Sequence, residues 1–414
     1  MSTKDNIHWA NIDSFVGNKS HDTLLNHRLC PICGSFQYRT LLVFDDFQFS
    51  TDSITEPRRA KIIEVQCQNC DGVYLNPCYS KIGFSCLFSE AGQSYGSTEG
   101  RPQEQIDWLA SRGLLDVSKV FMDAGCYEGR FLSMLPKSVR RIGVDIDTLA
   151  IERGRKRFSH EGVELIHGAF ESFQCPIAPD VISMTHVLEH LADPFSVLCH
   201  LRSVSHDDTH LVIEVPVLDD GKTNDINGFL SVGHMTHFSI RSVGILLKRA
   251  GWKILEQQQM QEYNGYRLLA KPDKATVNNI EYESADRAGA CDYISHWYAQ
   301  LAKVAILMGS WEKAERTVIW GGGWHTEFLY QVTPLFTTNQ KTEYIIVDSD
   351  PMKHGKSWRG LTINSPDVLS KIDWENTQLV ISSYQHQEEI AQAALKKGIP
   401  NSVIRRLYDK IRVH

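Results

Sequence analysis

Cysteine, acidic and histidine residues recur in this chain at spacings that do chemistry. Cys30-Pro-Ile-Cys33 runs into Gly34, and Cys67-Gln-Asn-Cys70 runs through Asp71 into Gly72. A C-x-x-C followed closely by glycine forms a tight knuckle whose backbone N–H groups point at sulfur. Two knuckles supply four thiolates, the ligand set of a closed tetrahedral Zn²⁺ site with no position left for catalysis. Leu41–Phe44 and Lys61–Val65, in the insert between the knuckles, read as short strands of a zinc ribbon. A pair of disulfides suits an oxidising compartment better than this chain's expected one, and a redox pair lacks a βαβ setting. Cys78 and Cys86 fall outside the pattern.

The second group is Asp123-Ala-Gly125-Cys-Tyr-Glu-Gly129, after the apolar run Val120–Met122. It reads as strand, glycine turn and helix start. Gly125 permits a sharp turn that a Cβ would obstruct, and Gly129 lets the helix lie close to the sheet. Ligands of open α/β sheets bind beyond the carboxyl ends of the strands, where this turn would sit. A dinucleotide site would show G-x-G-x-x-G. Here the motif opens on an acid, which can accept hydrogen bonds from an amino acid ammonium, and no pyrophosphate is implied. That points to S-adenosylmethionine (SAM) rather than NAD; read alone, the motif is also an ordinary strand-to-helix connection. Asp145, with Ile146 beside it, ends a second strand about 20 residues on, where nucleotide folds bind a ribose hydroxyl pair. Ala169 and Phe170 follow a third strand and could flank an adenine. Tyr95, in a small-residue turn upstream, could close over the cofactor or serve in packing alone.

The third group is histidine. His186-Val-Leu-Glu-His190 places two imidazoles at i and i+4, one face of a helix. With no third ligand placed nearby, the expectation is that His186 contacts cofactor or substrate while Glu189 and His190 orient the loop. His234 and His237, in Gly233-His-Met-Thr-His-Phe-Ser239, are candidate general bases because imidazole titrates near neutrality.

The elements that must position these groups alternate. Strands at Val120, Arg141, Val163, around Val181 and at Leu211–Pro216 are separated by helical stretches, which implies a parallel, doubly wound α/β sheet. A long polar insertion, Val217–Ser231, reads as a lid or substrate wall. Helix Ile240–Ala250 precedes two further strands, Lys253–Glu256 and Gly265–Ala270, and Gln103–Leu115 reads as a helix before the first strand. Residues 274–314 read as a bridging helix pair. A second unit then opens at Thr317-Val-Ile-Trp-Gly-Gly-Gly323, with Asp348 ending its next strand, Gln378–Ser382 as a further strand and Glu388–Lys397 as a helix. It is a small Rossmann-like domain whose glycine turn has the geometry for a diphosphate or for a plain turn. The expected division is a flexible tail (1–26), a zinc-binding module (27–90), the SAM-binding domain (91–273), a helical linker (274–314) and the C-terminal domain (315–414).

At 414 residues the chain exceeds one ordinary core. Its 42% hydrophobic and 22% charged content is that of a soluble globular protein. A net charge of −7 without a Lys/Arg run argues against nucleic-acid binding. No apolar stretch reaches membrane-spanning length and the start lacks a signal-peptide plan, so a cytoplasmic protein is expected.

The ordered strand series resembles the class I SAM-dependent methyltransferases. Beyond that, the chain from about Cys30 to its end resembles the three-part C-methyltransferases of nucleotide-linked deoxysugars. The carriers are the four-cysteine motif, His186-Val-Leu-Glu-His-Leu-Ala-Asp-Pro194, Ile213-Glu-Val-Pro216, Val347-Asp-Ser-Asp-Pro-Met-Lys-His-Gly355 and Ile363-Asn-Ser-Pro366. In that family a Tyr-x-Glu-His cluster supplies the base that removes a proton α to a sugar ketone. His234 falls on the base, whereas the Glu and Tyr positions hold Gly233 and Ser231. The resemblance implies SAM bound near Asp123 and Asp145, a structural zinc, and a nucleotide-linked sugar between the central and C-terminal domains. It implies an enolate that attacks the SAM methyl, and a monomer or homodimer. Methylation of a hydroxyl or amine is the alternative, and a non-enzymatic SAM-binding scaffold is a third reading.

Overall fold

The computed structural model describes residues 24–49, 58–88, 101–218, 232–261, 264–273, 286–311, 314–336 and 342–409. The N-terminal part opens with β1 (Leu25–Asn26), paired antiparallel with β5 (Cys78–Tyr79). Residues expected to end a loose tail are therefore tied down, with Leu24 buried. Between them run β2 (Tyr38–Phe49), β3 (Arg58–Cys67) and β4 (Val73–Leu75). The short strands expected of a ribbon are thus the middle part of one long antiparallel hairpin, β2–β3.

The central sheet has seven strands. In chain order they are β6 (Val120–Ala124), β7 (Arg140–Asp145), β8 (Val163–His167), β9 (Val181–Thr185) and β10 (His210–Pro216). After β11 (Thr236–His237), which belongs elsewhere, come β12 (Trp252–Gln259) and β13 (Gly265–Pro272). The spatial order is β12-β13-β10-β9-β6-β7-β8. The pairs among β6 to β10 are parallel, and β13 alone runs antiparallel to both neighbours. Every residue of β6 is buried, as a central strand covered on both faces requires. The covering helices carry their own start signals. Asp193 caps Pro194–Ser203 with proline at its first turn. Ser239 and Ser242 form a reciprocal capping box that starts Ile240–Arg249.

β11 joins the N-terminal sheet, whose order is β11-β4-β3-β2. The segment carrying His234 and His237 is thereby stitched into the cysteine module: Thr236 pairs with Tyr74 and His237 with Val73. Leu75 N–H also donates to Met235 O at 2.9 Å, and the Arg28 guanidinium donates to Met235 O.

The C-terminal sheet comprises β14 (Arg316–Trp320), β15 (Glu343–Val347), β16 (Ser357–Trp358), β17 (Leu361–Asn364), β18 (Thr377–Ile381) and β19 (Ile404–Arg405). Their order is β16-β17-β15-β14-β18-β19, and every pair except β16–β17 is parallel.

The β2–β3 hairpin packs against both larger sheets. Near the knuckles, Ile32, Val65 and Tyr74 share a core with Val217, Phe238 and Val243. Farther along, Phe44, Phe47 and Phe49 share another with Phe328, Leu329 and Trp358. A buried ion cluster locks the second contact. Arg359 donates to both carboxylate oxygens of Glu327 and meets Asp46 Oδ2 at 3.2 Å. Arg59 reaches the same Asp46 oxygen at 3.3 Å.

Two expected elements differ. Within 274–314 the described residues hold one helix, Asp286–Gly309, which buries Trp297, Val304 and Met308 on one face. The helix expected over Gln103–Leu115 runs Arg101–Ala110, because the chain turns at Gly113 (φ 65°). No helix among the described residues is long and apolar enough to cross a membrane.

Candidate functional site

The site forms where the parallel strands of the central sheet end. Asp123 is buried on β6 and accepts a 2.5 Å hydrogen bond from Ser183 Oγ of β9. Burial pushes its pKa up to about 6, with the Ser183 bond opposing and Asp145 adding to the rise. Gly125 follows at φ 95°, and a Cβ there would lie 2.2 Å from Val187 Cγ2. Glycine is therefore required twice, for conformation and for contact with the 186–190 loop. Asp145, at the end of β7, accepts from Tyr127 N–H at 2.8 Å and from Asp147 N–H at 2.9 Å. Burial raises its pKa, against those backbone bonds. Ile146 is exposed beside it, while Ala169 and the buried Phe170 follow β8. These residues thus share the β6–β8 edge, with Gly129 starting the helix behind them. Tyr95, Ser231 and most of the expected lid lie outside the described residues.

His186 is not on a helix. It sits at φ 53° after β9, and Leu188–His190 forms a short 3-10 turn, so the i and i+4 imidazoles do not share a helical face. His186 Nδ1 lies 3.2 Å from Glu189 Oε1, and its Nε2 meets Arg101 and Glu214. Burial lowers its pKa, but Glu189 and Glu214 outweigh that and the net shift is upward. Beyond it an ion network runs inward. Arg101 contacts Glu214, Arg267 Nε donates to Glu214 at 2.9 Å, and Arg267 makes a bidentate pair with Glu104 at 2.9 and 2.6 Å. Glu214 is held well below the usual carboxylate range: burial opposes, but His186, Arg101 and Arg267 prevail.

Glu189 is fully buried and faces three imidazoles, with Oε1 3.2 Å from His186 Nδ1 and 4.0 Å from both His190 Nε2 and His234 Nε2. Burial pushes its pKa up, and His186, His190 and His234 overcome that to hold it at about 2. His234 is driven well below 6.5, chiefly by burial and then by His190, so it is neutral at pH 7. It lines a small depression with Pro216, Val217, Leu218 and Thr236. His237 lines the same depression, but its Nε2 lies 2.8 Å from Glu64 Oε1 in a buried pair. That pair ties β11 to β3 and commits the imidazole to a tethering contact.

The four cysteine sulfurs converge within 4.8 Å of one another. Cys30 and Cys70 are 3.6 Å apart, Cys33 and Cys67 3.5 Å, and none is in a disulfide. A tetrahedron with Zn–S bonds of about 2.3 Å has edges of about 3.8 Å, so the donor set fits Zn²⁺. Asn69 N–H points at Cys67 Sγ at 3.4 Å and Asn69 Nδ2 at Cys33 Sγ at 3.5 Å, as knuckle donors do.

In the C-terminal sheet, the Gly321–Gly323 turn repeats the Asp145 arrangement. Asp348 accepts from Gly322 N–H at 2.7 Å, Asp350 N–H at 2.9 Å and Lys353 Nζ at 3.1 Å.

Residues 98–257 match the family model described as a methyltransferase domain. The chain carries a class I SAM-dependent methyltransferase domain. A curated relative of that domain is the mitochondrial ubiquinone biosynthesis O-methyltransferase of Schizosaccharomyces pombe. It is 30% identical over 143 residues, 30% of this chain and 52% of the relative. The chain thus spans about half the length of that relative. A SAM-dependent methyltransferase from Clostridium acetobutylicum aligns over 44% of this chain and 95% of its own, at 9% identity and a TM-score of 0.37. The magnesium protoporphyrin IX methyltransferase of Synechocystis, solved with bound SAH, aligns over 42% and 82%, at 16% identity and a TM-score of 0.35. Likenesses this faint bring no substrate or residue role to the methyltransferase domain.

The sequence alone missed Arg101, Glu104, Ser183, Glu214 and Arg267. A signal existed for two of them: Ser183 and Glu214 are polar residues inside apolar strands, and an acid there must find a buried partner. The convergence of Glu189 and His190 on His234 had no local signal.

Proposed function

We propose that this chain is a SAM-dependent methyltransferase for an oxygenated small molecule, with the acceptor's oxygen at the Glu189–His190–His234 cluster. The observation that carries the proposal is the packing of that cluster against the cofactor turn. Val187 contacts Gly125, and His234 lines the depression beyond β10. Bound SAM supplies an electrophilic methyl group. Asp123 would accept its ammonium, and Asp145 would take the ribose hydroxyls with the lone pairs that its two backbone bonds leave over. Ile146, Ala169 and Phe170 would flank the adenine, and His186, whose ring meets Arg101 and Glu214, would contact cofactor or substrate. Zn²⁺ on Cys30, Cys33, Cys67 and Cys70 fixes the module that carries β11, and hence the loop holding His234.

Within this class we favour transfer to the carbon next to the ketone of a nucleotide-linked sugar. The three-part arrangement supports it, and so does Glu189, which sets a carboxylate beside His234 where Gly233 offers none. The α-proton leaves to a neutral imidazole, and the enolate carbon then takes the methyl group as the cofactor's sulfur departs as a thioether. Holding both substrates in attack geometry is worth about 7–11 kcal/mol. Transfer to a hydroxyl is the second reading, which the likeness to the Schizosaccharomyces pombe O-methyltransferase favours. Mass spectrometry of nucleotide-linked 4-keto sugars incubated with the enzyme and SAM in D₂O separates the two. Methyl gain on the ketone, with deuterium washing into the α-carbon of substrate not yet methylated, supports C-methylation. Methyl gain on hydroxyl acceptors alone rejects it. No methyl gain on either acceptor class would overturn the proposal.

A further inference from the structure

Three donors around Glu189 converge without bonding one another. Glu189 Oε1 lies 4.0 Å from both His190 Nε2 and His234 Nε2, beyond hydrogen-bond range. The two imidazoles meet edge to face with centroids 4.8 Å apart. Glu189 Oε2 is buried and, among the described residues, has no hydrogen-bond partner. Leaving such an atom unsatisfied is costly, and each case in a folded protein asks for a cause.

We infer that Glu189, His190 and His234 form a binding site for a first-row divalent cation, open towards the acceptor. One donor atom from each of the three lies within 4.8 Å of the others. Bonds of about 2.0–2.2 Å to nitrogen and carboxylate oxygen would set neighbouring donors about 3.3–3.6 Å apart in a tetrahedron, so each has to close by less than about 1 Å. The surroundings hold the donors in that attitude. His190 Nδ1 lies 2.9 Å from Gly233 O, a contact that fixes the attitude of its ring. His186 Nδ1, at 3.2 Å from Glu189 Oε1, orients the carboxylate. Such contacts behind the ligands are what metal sites use to fix ring and carboxylate direction.

Two imidazoles and one carboxylate suit Zn²⁺, Mn²⁺, Fe²⁺ or Co²⁺, and three protein ligands leave positions for a substrate, unlike the closed four-cysteine cluster. Those positions face outward: the side chains of His190 and His234 keep 17% and 14% of their exposure, and His234 lines the depression beyond β10. The cation acts as a Lewis acid on a ketone, enolate or hydroxyl oxygen of the acceptor. This role rests on the acceptor placement proposed above and refines it. His234 then ligates through Nε2 and no longer takes the α-proton; a hydroxide held on the cation would take it and leave as water, while the cation draws charge from the acceptor oxygen. His186 is excluded as a ligand, since both its ring nitrogens already face Glu189, Arg101 and Glu214.

The test is a Mn²⁺ titration of the full chain with its cysteine cluster loaded with zinc, followed by electron paramagnetic resonance. Mn²⁺ prefers oxygen and nitrogen donors and leaves thiolates to zinc. The expected result is one Mn²⁺ per chain, bound at least tenfold more weakly in Glu189→Gln and in His234→Asn. Retained SAM affinity and thermal unfolding temperature show that each variant is folded. If one variant misfolds, the other and His190→Gln carry the comparison. No Mn²⁺, Zn²⁺ or Co²⁺ bound beyond the cysteine site, or equal binding in the folded variants, would overturn the site and leave the methyltransferase proposal standing. Specific binding that leaves methyl transfer unchanged would support the site and reject the acceptor placement.

Discussion

Cofactor affinity should depend on pH through Asp123. Without ligand its carboxyl titrates at about 6, because burial penalises the charge more than the Ser183 bond relieves it. The SAM ammonium binds the ionised form, so affinity follows the ionised fraction, which is about 0.9 at pH 7 and about 0.1 at pH 5. Kd should therefore rise about tenfold over that interval, or about 1.4 kcal/mol. An ordinary aspartate would be almost fully ionised at both pH values and give almost no change. The sign for stability is opposite. A folded pKa raised above the unfolded one favours the folded state at low pH, and that contribution is lost as pH rises from about 4 through about 6. Bound cofactor reverses the loss. Isothermal titration with SAM from pH 5 to 7.5, on wild type and Asp123→Asn, measures both arms. The variant should bind weakly and show little pH slope. A flat wild-type profile, or an equal slope in the variant, would refute the placement of the ammonium on Asp123.

Other substitutions probe the scaffold. Gly125→Ala combines a φ of 95° with a Cβ 2.2 Å from Val187 Cγ2, and should lower stability by about 2–5 kcal/mol in urea unfolding and abolish SAM binding. Arg359→Met strands the buried Glu327 and should cost about 3–5 kcal/mol, much of it recovered in Arg359→Met/Glu327→Leu. Stripping metal from the cysteine cluster, or Cys33→Ser, should lower the unfolding temperature and also methyl transfer, because β11 and the His234 loop hang on β4. Transfer that survives metal removal would show that the module does not support the loop.

The central sheet was legible because each of its parallel strands is an apolar run bounded by turn residues. β6, β9 and β10 lie within a residue or two of where their apolar runs place them, and Asp123, Gly125 and Asp145 fall at strand ends as their spacing implied. What periodicity could not convey was which distant segments meet. Glu64 lies in β3 and His237 in β11, and only the pairing of β11 with β4 brings them together. Glu189 reads locally as a loop acid; it becomes the centre of a cluster only because the segment from Val232 returns to it, with Met235 N–H donating to Glu189 O at 2.8 Å. The full length of the β2–β3 hairpin was equally hidden, since its outer half is explained by aromatic packing on the C-terminal sheet rather than by metal binding. His186 takes a positive φ and Leu188–His190 forms a 3-10 turn, so a loop after the strand, as the strand-end position implied, rather than a helix sets where His186 and His190 lie.

A crystal structure of the chain with SAH would test the central claim most directly. The expected density has the amino acid part against Asp123, the ribose on Asp145 and the sulfur directed at the depression lined by His234. An acceptor atom would then sit about 3–3.5 Å from a transferring methyl group. SAH bound elsewhere, or with its sulfur turned away from the Glu189–His190–His234 cluster, would contradict the account.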